Sequence, residues 1–261
     1  MKQYRQIDTT MRVETNMDVM LIVFCMAATL FAAALTVPAG FGLATMITPV
    51  MLLWLDPHLA IAAVAVVHAA HNGWKLVLLK GDVDFLAVKR YGWAMVLGAL
   101  IGASLSTSID PQPLLIVVGF ALILLPILSV SERWTNYRLP EAEDRWGGFG
   151  SGFMGGLTGH QGALRAMFLQ RRLPDKSAYA ATAALLALTV DLSRLPVYLY
   201  SDGEALAEYL PLVAGSVVSA IIGVHLGKRW LKKWKKSFIS TMITVGIVLS
   251  GIMYVFEGIT M

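Results

Sequence analysis

Charged residues and cysteine are both scarce in this chain of 261 residues. Asp, Glu, Lys and Arg make up 15% of the sequence, whereas an ordinary soluble domain contains roughly 25%. Together with 57% apolar residues, this deficit excludes a disordered or strongly solvated protein. The single cysteine, Cys25, excludes an intrachain disulfide and a cysteine-ligated metal cluster.

Signatures of metal-dependent catalysis and of nucleotide hydrolysis are also lacking. There is no His-Glu-x-x-His motif, and the pair His68 and His71 has no evident third ligand for zinc. Residues 223–228 resemble a Walker A loop, but they have one residue too few between the glycines, and Arg229 stands where Ser or Thr is required. We therefore expect no enzyme activity, no metal and no cofactor.

The sequence contains instead seven long runs without a charged residue. These runs have 18 to 37 residues each, and a membrane-spanning helix needs about 20. They cover residues 19–55, 57–74, 91–109, 111–131, 146–164, 209–227 and 237–256. The predicted fold class is therefore an all-α polytopic membrane protein embedded in a lipid bilayer.

Basic residues concentrate in one set of loops. Of the 21, six fall within residues 228–236, and others fall within 80–90, 133–145 and 171–176. Lys and Arg are missing from residues 56–58, 106–113, 201–208 and 257–261. By the positive-inside rule the first set faces the cytoplasm and the second faces out, which places the C-terminus outside. Because the net charge of +4 is distributed by loop, it favours a membrane orientation over nucleic-acid binding.

The charge map predicts two halves of opposite orientation. The predicted helices cover residues 59–79, 86–106 and 113–130 in the first half and 177–200, 206–226 and 238–256 in the second. Arg145 and Arg171 both lie on the inner side, so the stretch between them crosses the bilayer an even number of times. Because this stretch is too short for two spans of about 20 residues each, we predict that it enters and returns as a broken, re-entrant hairpin.

The distribution of glycine supports the predicted hairpin and indicates a second one in the first half. Eight of the sixteen residues from 147 to 162 are glycine, and Pro38, Gly40 and Gly42 interrupt the corresponding run of the first half. The hairpin glycines are Gly40, Gly42, Gly159 and Gly162. Each half thus reads as a broken, Gly-rich helical hairpin followed by three transmembrane helices. Two such inverted-topology repeats are typical of secondary transporters with a site near the membrane midplane.

The chain divides into four predicted parts. These are an N-terminal segment of residues 1–17, a first transmembrane repeat of 18–130, a cytoplasmic loop of 131–146 and a second transmembrane repeat of 147–261. Symmetry places the N-terminus outside, whereas Lys2, Arg5 and Arg12 favour the inside, so its side is left open. Rows of small residues at four-residue spacing predict close helix contacts, within one protomer or between two. The rows are Gly98/Gly102 and Gly148/Gly152/Gly156.

Three polar side chains mark the tip of the second hairpin. The helix that follows this tip should begin near Ala163, and its N-terminus should present unpaired N–H groups and a partial positive charge to the interior. Arg165 would add a permanent charge and a bidentate fork for an oxyanion. His160 and Gln161 are further candidates to bind the substrate. The alternatives are an Arg165 that snorkels to the surface and a tip whose polar groups only satisfy the loop backbone.

Two other helices carry polar residues within the predicted bilayer. Asp191 and Arg194 share one helix face and are predicted to form an intramembrane ion pair, with Arg194 also near the substrate and Asp191 as the candidate for proton coupling. The corresponding helix of the first half carries His68, His71, Asn72 and Lys75 along one stripe. His71 and Asn72 are the candidates to contact the substrate, and Lys75 is expected to snorkel to the inner surface.

The two interrupted segments resemble a known family. They read GFG at residues 40–42, with Pro49 downstream, and GGLTGHQG at 155–162. The stretch GLTGHQGALR at 156–165, with DLSRLP at 191–196, is similar to one branch of that family. Over about residues 18–257 the chain resembles the sulfite exporter TauE/SafE family of bacterial membrane transporters.

The resemblance implies a transporter of the bacterial inner membrane. It would export sulfite, organosulfonates or a related small sulfur-containing or carboxylate anion, bound near the tips of the two hairpins, and a homodimer is consistent with it. The more usual second motif is a run of glycines with a downstream proline, whereas His160, Gln161 and Arg165 stand here. Two alternatives remain open: an intramembrane enzyme that uses the His/Asp cluster and a membrane scaffold that transports nothing.

Overall fold

The computed structural model describes residues 2–110, 112–120, 122–124, 144–173, 175–231 and 236–260, and within them the chain is helical with no strand. In chain order the helices are α1 (Lys2–Ala39), α2 (Leu43–Met51), α3 (Pro57–Leu79), α4 (Phe85–Ser106), α5 (Gln112–Leu124), α6 (Asp144–Thr158), α7 (Gln161–Arg172), α8 (Lys176–Glu208), α9 (Leu210–Leu231) and α10 (Lys236–Thr260). A 3₁₀ turn, Lys80–Asp82, follows α3. Five of the described helices are long and apolar enough to cross a membrane. The predicted all-α membrane fold is confirmed at this level.

The predicted helix boundaries agree closely with the structure for α3 and α4. They differ more in the second half, where α9 begins four residues later and α10 ends four residues later than predicted. Helices α3 and α4 match the predicted residues 59–79 and 86–106 to within two residues. The predicted loop between residues 200 and 206 is wrong, because α8 continues to Glu208. Gly203 costs a helix only about 1 kcal/mol, and burial of Leu206 stabilises the additional turns. Residues 125–130 of the predicted fifth helix, and nearly all of the predicted loop 131–146, lie outside the described residues.

Local signals explain where the central helices begin. Asp84 precedes α4, and its carboxylate accepts a hydrogen bond from the Ala87 N–H at 2.9 Å. Asp175 precedes α8 and accepts one from the Ala178 N–H at 2.8 Å. Both are N-cap residues that satisfy a donor the helix itself leaves unpaired. Helix α3 begins at Pro57, where a missing N–H costs no helical hydrogen bond.

Two long helices form the centre of the bundle. Helices α3 and α8 pack against each other through faces rich in buried alanine, and each also contacts a helix of the other half, α9 and α4 respectively. On the two sides α1 packs on α9 and α4 packs on α6. The short helices α2 and α7 lie against α3 and α8. The centre of the bundle is therefore lined by α3, α8 and the two short helices.

Glycines allow α4 and α6 to approach closely. A Cβ atom at Gly152 would collide with the carbonyl of Met95, and one at Gly98 would collide with the backbone of Phe149. Three more glycines of the same two helices face backbone in this way, namely Gly102, Gly148 and Gly156. Both predicted rows of small residues therefore contact each other within one chain, which is the first of the two arrangements that the sequence left open.

The outer faces of the helices are apolar, and one end of the bundle is basic. On α4 the exposed large apolar side chains include Trp93, Leu97, Leu100, Ile101 and Leu105. At one end, Ser177 donates a hydrogen bond to the Asp82 carboxylate, and the Lys228 Nζ donates to the Leu78 carbonyl at 3.2 Å. The residues that these contacts gather at that end include Lys80, Lys89, Arg90, Lys176, Lys228 and Arg229.

Candidate functional site

Two helix breaks with left-handed glycines define the site. The first break, residues 40–42, separates α1 from α2, and Gly40 and Gly42 have φ angles of +80° and +107°. The second break, residues 159–160, separates α6 from α7, and Gly159 has a φ of +85°. A side chain rarely adopts these angles, so glycine is needed at each turn. The half-helices begin at Leu43, as the sequence predicts, and at Gln161, two residues before the predicted Ala163.

The two breaks lie against each other although they are some 120 residues apart in the chain. A Cβ atom at Gly162 would lie 2.8 Å from the Cβ of Phe41 and 3.4 Å from the backbone N of Gly42. The absence of a side chain at Gly162 is therefore what lets the N-termini of α2 and α7 meet. Each N-terminus has N–H groups without a helical partner and the positive end of the helix dipole.

Arg165 joins the two breaks. It lies one turn inside α7, and its side chain points back toward the helix N-terminus, as helical side chains do. Nη1 donates to the Gln161 side-chain oxygen at 3.3 Å, and Nη2 reaches the Gly40 carbonyl at 3.5 Å. The residue is 2% exposed, so it does not snorkel to the surface of the protein. Its Nε has no hydrogen-bond partner among the described residues, which leaves a buried cationic donor available.

Gln161 and His160 surround the second break with further unpaired donors and acceptors. The Gln161 carbonyl accepts a hydrogen bond from Ser151 at 2.9 Å, but the side-chain Nε2 of Gln161 has no partner within the described chain. Nδ1 of His160 lies 3.1 Å from the Thr158 hydroxyl, while its Nε2 is buried and unpartnered there. The His160 ring packs edge-on against Tyr254. The residues at this tip thus satisfy part of their hydrogen-bonding capacity and leave part of it open.

Asp191 connects α8 to α3. One carboxylate oxygen lies 2.7 Å from Nδ1 of His68, and the other accepts from Arg194 Nη2 at 2.8 Å and Nε at 3.1 Å. Asn72 donates to the His68 carbonyl at 2.8 Å and also lies next to the His68 ring. All four residues are buried. Asp191 is therefore neutralised by a permanent cation and fixed by a histidine from the opposite half of the chain.

Arg194 and Tyr198 hold the end of α6. Arg194 Nη1 donates to the Gly155 carbonyl at 2.6 Å, and the Tyr198 hydroxyl donates to the Gly156 carbonyl. These carbonyls belong to the last turn of α6, where a helix leaves acceptors unpaired and carries negative partial charge. With two contacts to Asp191 and one to Gly155, all three nitrogens of the Arg194 guanidinium donate hydrogen bonds within the protein.

The remaining candidates of α3 differ in their surroundings. Asn72 is bound to His68, as described above. His71 is buried, and neither of its ring nitrogens has a hydrogen-bond partner in the described residues. Lys75 is only 1% exposed, so the expectation that it snorkels is wrong for this chain. Residues of neighbouring helices cover it, although it lies within two turns of the end of α3.

The described residues contain no group of three or more His, Cys, Asp or Glu side chains placed to hold a metal ion. His68 and Asp191 are in contact, but the hydrogen-bond partners of His68 in this part of the chain are Asp191 and Asn72. Neither partner is a hydroxyl or thiol that the histidine could activate as a nucleophile. The two breaks instead bring together buried polar side chains and the Arg165 guanidinium, whose Nε has no partner among the described residues.

The chain matches a family model over most of its length. The model described as sulfite exporter TauE/SafE matches residues 25–254, which is most of the chain. The chain belongs to the TauE/SafE family. Both breaks and all the residues described above lie inside the matched region. No curated protein and no solved structure gives a match.

Membership of the TauE/SafE family implies a multi-pass membrane protein that transports an anion. A convergence of helix N-termini and arginine suits the negative charge of such a cargo.

Several residues of the site were not predicted to take part. Tyr198 lies four residues after Arg194, so helical spacing could have placed it beside that cation. His68 belongs to the predicted polar stripe of α3, but its partner Asp191 lies 123 residues away, and no local pattern links them. Tyr254, which packs on His160, stands in an ordinary apolar helix and gives no signal in the sequence.

Proposed function

We propose that this TauE/SafE protein is a secondary transporter that exports a small anion. The cargo would be sulfite, an organosulfonate or a related sulfur-containing or carboxylate anion, bound near the membrane midplane where the first and second breaks meet. The observation that carries the proposal is the buried guanidinium of Arg165, which has an unpartnered Nε and lies beside two helix N-termini. An unpaired buried cation is costly, and a bound oxyanion would compensate it.

Each side chain then has a distinct role. Arg165, with the N–H groups of α2 and α7, binds the negative charge, and Gln161 and His160 donate to the remaining oxygens. Asn72, His71 and Arg194 line the surroundings, and Arg194 with Asp191 forms the ion pair that holds the end of α6. Asp191 and His68 together are the candidates for proton coupling. Gly40, Gly42, Gly159 and Gly162 give the two breaks their shape.

The pattern of helix packing supports an inverted repeat. If α1–α5 are exchanged with α6–α10, the pair α4 and α6 becomes α9 and α1, and the pair α4 and α8 becomes α9 and α3. All four of these pairs are in contact, and α3 with α8 is unchanged by the exchange. Two broken hairpins, 18–51 and 147–172, would thus enter the bilayer from opposite sides and present the site to each side in turn.

The proposed location is the bacterial inner membrane, with the basic end of the bundle in the cytoplasm. The contacts among residues 78–84, 177–182 and 228 gather the Lys- and Arg-rich connections at one end. The positive-inside rule then orients the chain and places its C-terminus outside. The bilayer and a small anion are the partners, a homodimer is one arrangement, and nucleic acid is not a partner.

The decisive experiment is anion binding to purified protein with Arg165→Ala and Arg165→Lys. We expect Arg165→Ala to weaken methanesulfonate binding by roughly thirtyfold or more, because it removes a buried charged partner of the anion. Arg165→Lys should restore part of this loss, since it keeps the charge but not the planar fork. Binding is measured by isothermal titration in detergent, on variants that elute as single species.

Lys80→Gln is the matched control, because it removes a positive charge from an exposed position outside the site. It should leave the affinity within about twofold of the parent protein, as screened surface charges do. Unchanged affinity in both Arg165 variants would exclude Arg165 as the anion ligand. Sulfonate flux into proteoliposomes separates the alternatives, because neither a membrane scaffold nor an intramembrane enzyme moves the anion under any gradient.

A further inference from the structure

A basic and aromatic patch lies on the outer face of α4 and α6, at the basic end of the bundle. Its members are exposed side chains that take no part in the site at the two breaks, namely Lys89, Arg90 and Trp93 on α4 and Arg145 and Trp146 on α6. The Arg145 guanidinium carbon lies 5.9 Å from the centroid of the Trp93 ring, which is a cation–π contact. This α4–α6 patch is therefore one surface built from two helices.

The two helices present these side chains at one level. Along their interface Gly148 faces the carbonyl of Tyr91, and the following contacts advance along both helices together. Helices α4 and α6 therefore run in the same direction and begin at the same end. Arg145, three residues before Gly148, lies level with the start of α4, and the Trp93 ring reaches it because helical side chains point back toward the N-terminus.

Lys89 lies at the depth of the membrane interface. Helix α4 has 22 residues, and at about 1.5 Å per residue it is about as long as the hydrocarbon core is thick, roughly 30 Å. Phe85 and Leu86, which are nearer to the end of the helix than Lys89, are 70% and 59% exposed. Such exposed apolar side chains favour contact with lipid, and tryptophans such as Trp93 are typical of the interface. The cations of the α4–α6 patch therefore face lipid headgroups.

Two of these cations, Lys89 and Arg145, form no ion pair and no hydrogen bond with the residues that the structure describes. Asp84, the carboxylate nearest to Lys89 along the chain, caps α4 and accepts a hydrogen bond from the Ala87 N–H at 2.9 Å. Asp144 is the first residue of α6, a position at which the helix dipole itself favours a carboxylate. Basic pockets between transmembrane helices bind acidic lipid headgroups, which supply the negative charge that the cations lack.

We propose that the α4–α6 patch binds the headgroup of an anionic phospholipid. Lys89 and Arg145 bind the phosphate from two helices, and Trp93 holds the Arg145 guanidinium through the cation–π contact. The acyl chains lie along the exposed apolar face further along α4, which includes Leu97 and Ile101. This inference is independent of the proposed transport, since it uses no residue of the two breaks. The bound lipid would bridge the helix pair whose interface leads to the second break.

The test measures lipids bound to the purified full-length protein by native mass spectrometry. Phosphatidylglycerol and phosphatidylcholine with identical acyl chains are compared, because both have a phosphate but only the first carries a net negative charge. The parent protein should bind phosphatidylglycerol roughly tenfold more tightly, since two cations compensate its charge. Equal binding of the two lipids would overturn the inference.

Lys89→Gln combined with Arg145→Gln should reduce this preference to about twofold or less. Lys80→Gln combined with Arg229→Gln is the matched control, because it removes the same charge from exposed positions at the same end but outside the patch. The control should leave the preference within about twofold of the parent value. An equal loss in the two double variants would show a diffuse effect of charge and would also overturn the site.

Trp93→Leu tests the patch without a change of charge. Leucine keeps an apolar side chain but leaves the Arg145 guanidinium without its ring contact, so phosphatidylglycerol binding should weaken about threefold. Unchanged binding contradicts the assignment of Trp93 and Arg145 to one site, and this variant decides if the Lys89 and Arg145 double variant does not fold.

An excess of inorganic phosphate separates a lipid site from a site for soluble phosphate. It should not displace phosphatidylglycerol, because the acyl chains contribute to binding. Displacement by phosphate would reject the lipid as the ligand. Methanesulfonate binding, which the proposed function assigns to Arg165, should be unchanged when Lys89 and Arg145 are replaced, so a failure of either proposal leaves the other standing.

Discussion

Asp191 accepts hydrogen bonds from side chains of two different helices while it is 0% exposed. Its contact with Arg194 is local, at three residues along α8, but its contact with His68 joins the two halves of the chain. This buried carboxylate stabilises the fold only while both His68 and Arg194 contact it. If one member of the group is removed, the members that remain are buried and partly unsatisfied. Asp191 therefore fixes the relative position of α3, α8 and, through Arg194, the end of α6.

At the residue scale we expect Asp191→Asn to lower the free energy of unfolding by about 3 kcal/mol or more, because it leaves the Arg194 cation buried without a counter-charge. The free energy is measured by reversible unfolding in mixed detergent micelles. Asp202→Asn is the matched control, since it makes the same chemical change on the same helix at a half-buried position near its end. Its effect should stay within about 0.5 kcal/mol. Equal effects of the two substitutions would refute the structural role assigned to Asp191.

The sequence predicts which polar residues lie at the candidate site better than it predicts which of them contact each other. Arg165, His160 and Gln161 are found because they interrupt a glycine-rich, uncharged run, which is a local signal. The contact of Arg165 with the Gly40 carbonyl depends on how two distant segments pack, and no spacing predicts it. The expectation for Lys75 fails for a similar reason. The position of a residue along its helix gives its distance from the end of that helix. It does not tell which residues of neighbouring helices cover the side chain.

Among the elements of the fold, α4 and α6 pack through close backbone contact at glycines rather than through burial of large apolar side chains. Lipid tails are as apolar as leucine, so two membrane helices gain little from burying large side chains and more from close backbone contact. Gly98 and Gly102 on α4 and Gly148, Gly152 and Gly156 on α6 give the two helices this contact. Because α6 ends at the second break, the packing of α4 on α6 also positions the site.

We expect Gly152→Ala to destabilise the protein by about 1–3 kcal/mol, because the new methyl group would overlap the backbone of Met95, which cannot move aside. Gly150→Ala is the control on the same helix. There the nearest atom is the end of the Leu164 side chain, at 3.2 Å, which can rotate away. Its effect should be within about 0.5 kcal/mol. Unfolding in mixed micelles measures both variants, and a Gly152→Ala protein as stable as Gly150→Ala would argue against the tight α4–α6 interface.

The sequence predicts where several helices begin more closely than it predicts where α8 ends. Positive-φ glycines and N-cap aspartates act locally, so the break before Leu43 and the starts of α4 and α8 could be placed closely. The end of α8 could not, because residues 201–208 are polar enough for a loop and are kept helical by the packing of Leu206. Glycine rows predict that two helices approach each other, yet which helices pair is decided by the whole bundle.

Over the whole molecule, charge is distributed between two ends and a centre. The connections after α3, before α8 and at the end of α9 gather lysine and arginine at one end, joined by the contacts of Asp82 with Ser177 and of Lys228 with Leu78. Asp56, Asp110, Asp202 and Glu208 lie at the other ends of these helices and their neighbours. The buried cations lie between. This distribution suits a transporter whose orientation is fixed by its ends and whose anion binds at its centre.

The orientation can be tested with single cysteines, because Cys25 is the only cysteine of the chain and is buried. In a Cys25→Ala background, Gly81→Cys reports the basic end and Gly203→Cys the acidic end. A membrane-impermeant maleimide should label Gly203→Cys in intact cells, and it should label Gly81→Cys only after permeabilisation, since lysine and arginine retain their loops in the cytoplasm. Labelling of Gly81→Cys alone in intact cells would reverse the orientation. Equal labelling of both would contradict the assignment of residues 81 and 203 to opposite sides of the membrane. The inverted repeat requires an odd number of membrane crossings between these residues, so this result would contradict the repeat as well.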